Sequence, residues 1–262
     1  LRGSYRFSTE HDYTSHGVSL GAGIDFAQNA ATLDLNLRAI GDTVGQSGNP
    51  SFARALTTLD AALTFTQVID PVMFFQLTYE LAHNRGYQSS PYRYVGVGGS
   101  GLGCVGASLC LPERAPGLRT RHAFAVLMRR AFSDVLSLGV NYRFYVDDWS
   151  LSSHTALVDL GWNLGESTLL SARYRFYTQG AVVFYQPQYT SIGTDQYRTR
   201  DRELSELTYH RVGAELERSF PVGDGRLAAS LSLSGNFYEY AAFVGLDHIS
   251  ALELSAGLLL EI

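Results

Sequence analysis

The sequence predicts an all-β protein, a transmembrane, antiparallel, up-and-down β-barrel of about 12 strands that residues 1–262 form as a single domain. Segments of about ten to fifteen residues alternate apolar and polar side chains along the chain, the period of a strand with one apolar and one polar face. The connections between segments are alternately short and long, which is typical of outer-membrane barrels. Aromatic residues make up 12% of the chain and charged residues only 17%, a balance that favours aromatic girdles at two membrane interfaces.

The alternating segments can be placed in order along the chain. Strands are predicted at residues 2–12, 15–27, 31–42, 55–69, 72–85, 121–132, 135–147, 151–164, 167–182, 205–219, 226–240 and 247–262. Short turns fall at 28–30, 70–71, 133–134, 165–166 and 221–225, and long external loops fall at 43–54, 86–120 and 183–204. The strand number is even, as in bacterial single-chain barrels, and the asymmetry of the connections predicts periplasmic turns, an outer-membrane location and periplasmic termini.

The segment 135–147 separates its two faces most clearly. One face carries Leu136, Leu138, Val140, Tyr142, Phe144 and Val146, and the other carries Ser137, Gly139, Asn141, Arg143, Tyr145 and Asp147. In the last segment, the face with Leu252 and Leu260 is free of charge over about eleven residues, the length of a tilted strand that crosses a bilayer. The apolar faces are therefore expected to meet lipid and the small polar faces to line a lumen.

The bulk composition excludes several classes of protein. The formal net charge is −5 and no basic run is interleaved with aromatic residues, so nucleic acid is not an expected partner. No apolar stretch reaches the roughly eighteen residues of a membrane-spanning helix. All 20 basic residues are Arg, which reflects either a GC-rich genome or a lumen lined with bidentate anion-binding groups. The chain begins at Leu1, and because export of a barrel requires a leader, we expect one to have been removed or left out of this sequence.

Strand phasing sends a mixed set of charged side chains to the inward face, where a charge costs far less than against lipid. The set comprises Arg6, Glu10, Asp25, Asp34, Arg38, Asp60, Glu80, Arg143, Asp159, Arg173, Arg175, Arg211, Glu215, Glu217 and Glu253. We expect the tightest part of the lumen, with its arginines at similar heights, to be formed by Arg143, Arg173, Arg175, Asp159, Tyr145 and Tyr177. This group is either an anion-selective constriction or a network of ion pairs that fills the lumen.

Cys104 and Cys110 lie in the longest external loop, in a Gly-rich stretch. Two cysteines in an exported loop with no other partner are expected to form a disulfide with each other. Metal binding is the weaker alternative because no His or further Cys lies nearby in sequence. No cofactor and no metal site is predicted.

The histidines are the remaining candidates for chemistry. His11, His16, His83, His154, His210 and His248 fall towards the external ends of their strands and point outward, whereas the phase of His122 is not decided by the pattern. A ring of outward ligands cannot converge on one metal, so an interfacial belt is expected. Ser152 and His154 share this face as in twelve-stranded outer-membrane phospholipases, but an i, i+2 spacing of about 6.5 Å exceeds a hydrogen bond. No catalytic residue is predicted, although a lipid-facing hydrolase stays open.

Short sequence motifs in and around the central strands resemble those of a known family. The matching stretches are Tyr142 to Trp149, Ser153-His154-Thr155, Tyr174-Arg175-Phe176-Tyr177, Phe184-Tyr185, Ser90 to Val95 and Pro112 to Pro116 with Arg119 and Arg121. They resemble a bacterial family of uncharacterised outer-membrane barrels, clearest from about residue 90 to 186. The resemblance implies a barrel and brings no catalytic residue. The stretch Cys104 to Cys110 departs from the family pattern, and so does Ile262, since many outer-membrane barrels end in an aromatic residue.

The predicted function is that of a narrow, porin-like passive channel for small solutes rather than an enzyme. The alternative is a structural barrel that anchors or seals a larger envelope complex through its external loops or periplasmic turns. Outer-membrane lipid and lipopolysaccharide are the expected surroundings in both cases, and the sequence selects no solute.

Overall fold

The computed structural model describes residues 1–223 and 225–261, and its strands follow the predicted alternation closely. Their bounds are β1 Arg2–Thr9, β2 Tyr13–Phe26, β3 Ala31–Gly45, β4 Ala53–Asp70, β5 Met73–Gly86, β6 Tyr94–Val97, β7 Leu109–Pro112, β8 Leu118–Ala131, β9 Leu136–Asp147, β10 Ser152–Asn163, β11 Thr168–Gln179, β12 Leu207–Val222, β13 Gly225–Tyr240 and β14 His248–Glu261. A short 3₁₀ turn covers Arg202–Leu204. Asp224, in a predicted turn, and Ile262, the residue that departs from the usual aromatic ending, lie outside the described residues.

Twelve of these strands form one antiparallel meander in the order β1-β2-β3-β4-β5-β8-β9-β10-β11-β12-β13-β14. Each strand pairs with its neighbours in sequence except where the hairpin β6–β7 is inserted between β5 and β8. The predicted fold, an up-and-down barrel with short turns at one end and long loops at the other, is confirmed. Both β1 and β14 have their free ends at the short-turn end.

The apolar face of this wall has no protein packed against it. On β14, Leu252, Leu254 and Leu258 are 77%, 69% and 79% exposed. The accessible surface of the chain is 15958 Å², whereas a compact monomer of its mass has about 11,000 Å². The wall is thus a single curved layer with one face open to lipid and the other open to water.

β1 and β14 are the two edge strands of the meander. In the described part of the chain, no backbone ladder joins β1 to β14. The inward side chains include Arg2 and Arg6 on β1 and Glu253 and Glu261 on β14. In the residues that the structure covers, no helix is long and apolar enough to cross a membrane.

The buried apolar clusters lie in the loops rather than in the wall. In one cluster Trp149 and Leu151 from the β9–β10 connection pack with Val182 and Phe184. In the other, Val95 and Val97 of β6 pack against Tyr189 from the β11–β12 loop. These long loops therefore form an ordered cap, which the sequence did not predict.

A carboxylate and a tyrosine hold the cap together. The Glu113 side chain is 3% exposed, pairs with Arg93 and accepts hydrogen bonds from the backbone N–H of Ser90 and Arg200. The Tyr189 hydroxyl donates to the Phe184 carbonyl oxygen at 2.8 Å. Burial raises the pKa of the Tyr189 hydroxyl above its ordinary value. Both residues are buried, Glu113 with 7% and Tyr189 with 4% exposure.

Candidate functional site

The inward face of the wall carries the charges that strand phasing predicted, and many of them form ion pairs. The pairs are Arg2–Asp34, Arg38–Asp60, Arg143–Glu80, Arg173–Asp159 and Arg211–Glu253. Each joins neighbouring strands or strands separated by one other. Where a strand intervenes it contributes small side chains at that level, such as Ala123 and Ala125 between Glu80 and Arg143. The pairs therefore run along the wall and not across the lumen.

These paired groups stay accessible to water. The Arg143 and Glu80 side chains, whose ion pair is 2.7 Å long, are 39% and 48% exposed. Arg173, paired with Asp159, is 59% exposed. Side chains that filled the lumen would bury one another, so the arrangement matches a wetted wall better than a plug.

The strand register arranges the predicted constriction in three rows across β9 to β13. The upper row contains Arg143, Thr155, Tyr177, Tyr209 and Tyr238. The middle row contains Asn141, Leu157, Arg175, Arg211 and Asn236. The lower row contains Gly139, Asp159, Arg173, Gly213 and Ser234, with Glu253 on β14. The three predicted arginines thus occupy three successive inward rows.

Arg175 differs from the other two arginines. Arg143 and Arg173 each have a carboxylate partner, but no carboxylate among the described residues lies within 4.0 Å of the Arg175 guanidinium. Arg175 lies directly opposite Arg211 and contacts the face of Tyr209, with 5.8 Å from its Cζ atom to the ring centroid. Like charges directly opposite one another destabilise a sheet, and the ion pair of Arg211 with Glu253 offsets part of this repulsion.

Tyr145 and Tyr177 belong to the mouth of the barrel. The Tyr145 hydroxyl donates to Asp147 at 2.8 Å, and the Asp147 side chain is completely buried and paired with Arg119. Tyr177 donates to Gln179, whose amide in turn donates to the Ser205 carbonyl oxygen at 2.6 Å. Both tyrosines therefore connect the lumen wall to the cap.

The structure places a repeated aromatic cluster on the lipid-facing side near the loop end. A Tyr hydroxyl lies within hydrogen-bond distance of a His Nδ1 in each cluster, and a Phe packs on the His or the Tyr. The clusters are Tyr5–His16–Phe7, Tyr79–His122–Phe124, Tyr142–His154–Phe144 and Tyr174–His210–Phe176, with O–N distances of 2.8, 2.9, 2.7 and 2.8 Å. Ring centroids of Phe and His, or of Phe and Tyr in the second cluster, lie 4.8–5.2 Å apart. We call these four groups the girdle clusters.

The girdle clusters have counterparts at the short-turn end. Eight residues separate His122 from Arg130, His154 from Trp162, and His210 from Arg218. Arg130 and Arg218 in turn stack on Phe132 and Phe220. Eight residues of strand cover about 27 Å, or about 21 Å along the barrel axis at a tilt of 40°, close to the apolar band of membrane barrels.

The outward histidines that belong to strands each lie on a different strand. His122, whose phase the sequence left open, lies outward opposite Leu81 and Val146. Within residues 1–223 and 225–261, no group of three or more metal-ligating side chains converges. His154 is engaged by Tyr142 through Nδ1. Cys104 and Cys110 form the predicted disulfide, with their Cα atoms 5.3 Å apart.

The fold and the two faces of the wall define a transmembrane β-barrel of the outer-membrane type. The chain belongs to a family described as proteins of unknown function, DUF3570, whose model matches residues 53–234. The predicted family resemblance is thereby confirmed.

Solved outer-membrane barrels resemble the chain weakly. LpxR from Salmonella typhimurium is 14% identical with a TM-score of 0.35, over 94% of this chain and 88% of that one. BamA from Haemophilus ducreyi is 9% identical with a TM-score of 0.41, over 96% and 60%. The ferric-catecholate import receptor Fiu from E. coli K12 is 10% identical with a TM-score of 0.45, over 98% and 50%. Among curated proteins, none matches the sequence.

Proposed function

We propose that this protein is a narrow passive channel of the outer membrane that carries small solutes and favours anions. The observation that carries the proposal is the state of the wall charges, which are paired along the wall yet remain 39% to 59% exposed on the arginine side. Paired charges polarise and hydrate a passage without blocking it. Arg175, opposite Arg211 and without a carboxylate partner among the described residues, supplies a net positive field in the middle row.

Planar-bilayer recording of the purified protein tests this function. Discrete conductance steps that favour chloride over potassium are expected. A protein that inserts fully and stays electrically silent would refute the channel. Insertion is checked independently by resistance of the wall strands to added protease.

The proposed orientation puts the cap outside the cell and the short turns and both strand termini in the periplasm. The length asymmetry of the connections supports it. A cysteine introduced at Ser47, in the β3–β4 loop, should react with a membrane-impermeant maleimide on intact cells, and one introduced at Glu166, in a short turn, should not. The reverse pattern would contradict the orientation.

A structural barrel within an envelope complex is the second candidate function. It is favoured by the packed cap, from which the disulfide-closed loop projects Val105 with 81% exposure. Cross-linking through a photoreactive residue at position 105 in intact cells discriminates between the two. A stoichiometric protein adduct would favour the structural barrel, and recovery of the uncoupled protein with open conductance would favour the channel.

A further inference from the structure

The four girdle clusters repeat one geometry on four separate strand pairs, which packing alone does not require. In three of them the sequence is Tyr-Arg-Phe on one strand, with His on the next strand directly opposite the Phe. The Arg between the two aromatic residues points to the lumen, so the Tyr and Phe share the outward face. The fourth cluster reaches the same Tyr–His contact with Tyr79 opposite Phe124.

The Tyr–His contact orients the imidazole. When the Tyr hydroxyl donates to Nδ1, the proton of the neutral ring resides on Nε2. The Nδ1 atom is then occupied, and the N–H at Nε2 is left as the free donor of the ring. In that tautomer, each cluster presents a hydrogen-bond donor on the lipid-facing side.

Hydroxyl groups lie at the next outward position towards the loops. Thr9 and Thr14 form such a pair above the first cluster, and Thr178 and Thr208 form one above His210. Thr120 lies above His122 and contacts His83 at 3.0 Å. The outward face thus changes from leucine and valine to aromatic rings, then to imidazole N–H, then to hydroxyls. Two carboxylates lie near these donors, since Glu239 is opposite Thr208 and Asp148 accepts from the Thr120 backbone N–H. The apolar surface below the donors is complementary to a lipid, whose acyl chain lies beside the leucines and whose phosphate lies at the donors.

We propose that each girdle cluster binds the phosphate of a lipid headgroup in the leaflet at the loop end, through the His Nε2–H and the adjacent hydroxyls. The depth of the clusters supports this occupant, because the eight-residue spacing to Arg130, Trp162 and Arg218 puts them at the edge of an apolar band about 21 Å thick. The site is independent of conduction through the lumen.

Native mass spectrometry of the purified protein tests this proposal. Phosphatidylglycerol is compared with digalactosyldiacylglycerol carrying the same acyl chains, so the two lipids differ only in the headgroup. We expect the wild-type protein to retain phosphatidylglycerol at least about three-fold more than the glycolipid, since a charge-assisted hydrogen bond exceeds a neutral one. The combined His16→Phe, His122→Phe, His154→Phe and His210→Phe variant should retain the two lipids equally.

Two further variants keep the test decisive. Trp162→Phe alters the opposite girdle and should preserve the wild-type ratio. Should the histidine variant fail to fold, the combined Tyr5→Phe, Tyr79→Phe, Tyr142→Phe and Tyr174→Phe variant removes only the hydroxyls that orient the rings, and it should lower the ratio. A wild-type ratio near one, or an unchanged ratio in the histidine or tyrosine variant, would overturn the proposal. Conductance should be the same in all these proteins, so loss of lipid preference and loss of the channel are separately visible.

Discussion

Replacing Arg175 by alanine should reduce the anion preference of the channel. The guanidinium lies on the inward face opposite Arg211, with an aromatic ring and no carboxylate as its neighbour among the described residues. Because Arg143 and Arg173 are neutralised by Glu80 and Asp159, Arg175 contributes a larger share of the local field.

The size of the effect follows from Coulomb's law in a wetted lumen. An anion at about 5 Å from the guanidinium gains about 0.8 kcal/mol in water. Screening at 0.1 M salt, where the Debye length is about 10 Å, reduces this gain to about 0.5 kcal/mol. Loss of the charge should therefore lower anion density at the middle row about two-fold, which corresponds to a shift on the order of 10 mV in reversal potential.

The assay is the reversal potential in a KCl gradient across a planar bilayer. Arg130→Ala is the matched control, because it removes the same charge from the outward face, where Arg130 stacks on Phe132. The Arg175→Ala shift should be present near 0.1 M salt and nearly absent near 1 M, where the Debye length is about 3 Å. Equal shifts in the two variants, or no shift for Arg175→Ala at low salt, would refute the assignment of selectivity to this row.

Three further perturbations test the mouth and the cap. Asp147→Asn should lower the free energy of unfolding by about 3 kcal/mol, because it removes a fully buried charge paired with Arg119. Asp148→Asn is the control, and equal denaturation midpoints for the two variants would contradict the stabilising role of Asp147. Reduction of the Cys104–Cys110 disulfide should remove about 2 kcal/mol of local stabilisation, as expected for a short closed loop. Proteolysis within residues 99–110 should then become faster while the wall stays folded. An unchanged cleavage rate would count against this stabilising role. Because burial raises its pKa, the neutral Tyr189 hydroxyl stabilises the cap fully at pH values below about 10 and progressively less as pH rises above that value. In a Trp162→Phe background, the pH-induced transition in Trp149 fluorescence should therefore move to higher pH on Tyr189→Phe. Coincident transitions in the two proteins would exclude this role.

The wall could be predicted from the sequence because its physics is local. A two-residue period determines which side chains share a face, so the inward charges and the outward histidines follow from counting. For His122 the pattern near the start of β8 was ambiguous, and its pairing with Leu81 and Val146 resolved the face. The disulfide was predictable because Cys104 and Cys110 are the only cysteines in the sequence.

The rows and the cap could not be predicted in the same way. Register depends on the turns, so alternation alone could not indicate that Arg173 lies opposite Asp159 whereas Arg175 lies opposite Arg211. The hairpin β6–β7 and the cap depend on contacts between distant segments, such as Glu113 with the backbone of Arg200, and such irregular segments have no period. The Tyr-Arg-Phe repeat was visible in the sequence, but its histidine partners required the strand pairing.

The two-faced wall is the central claim, and nitroxide scanning along β9 tests it most directly. Single cysteines at positions 138 to 143 carry the label in liposomes, and the native cysteines do not interfere because they are paired with each other. Labels at 138, 140 and 142 should be relaxed by oxygen in the lipid, and labels at 139, 141 and 143 by a water-soluble nickel complex, with a strict period of two. Uniform accessibility, or water contact at Leu138, Val140 and Tyr142, would contradict a barrel whose apolar face meets the membrane and whose arginines line the lumen.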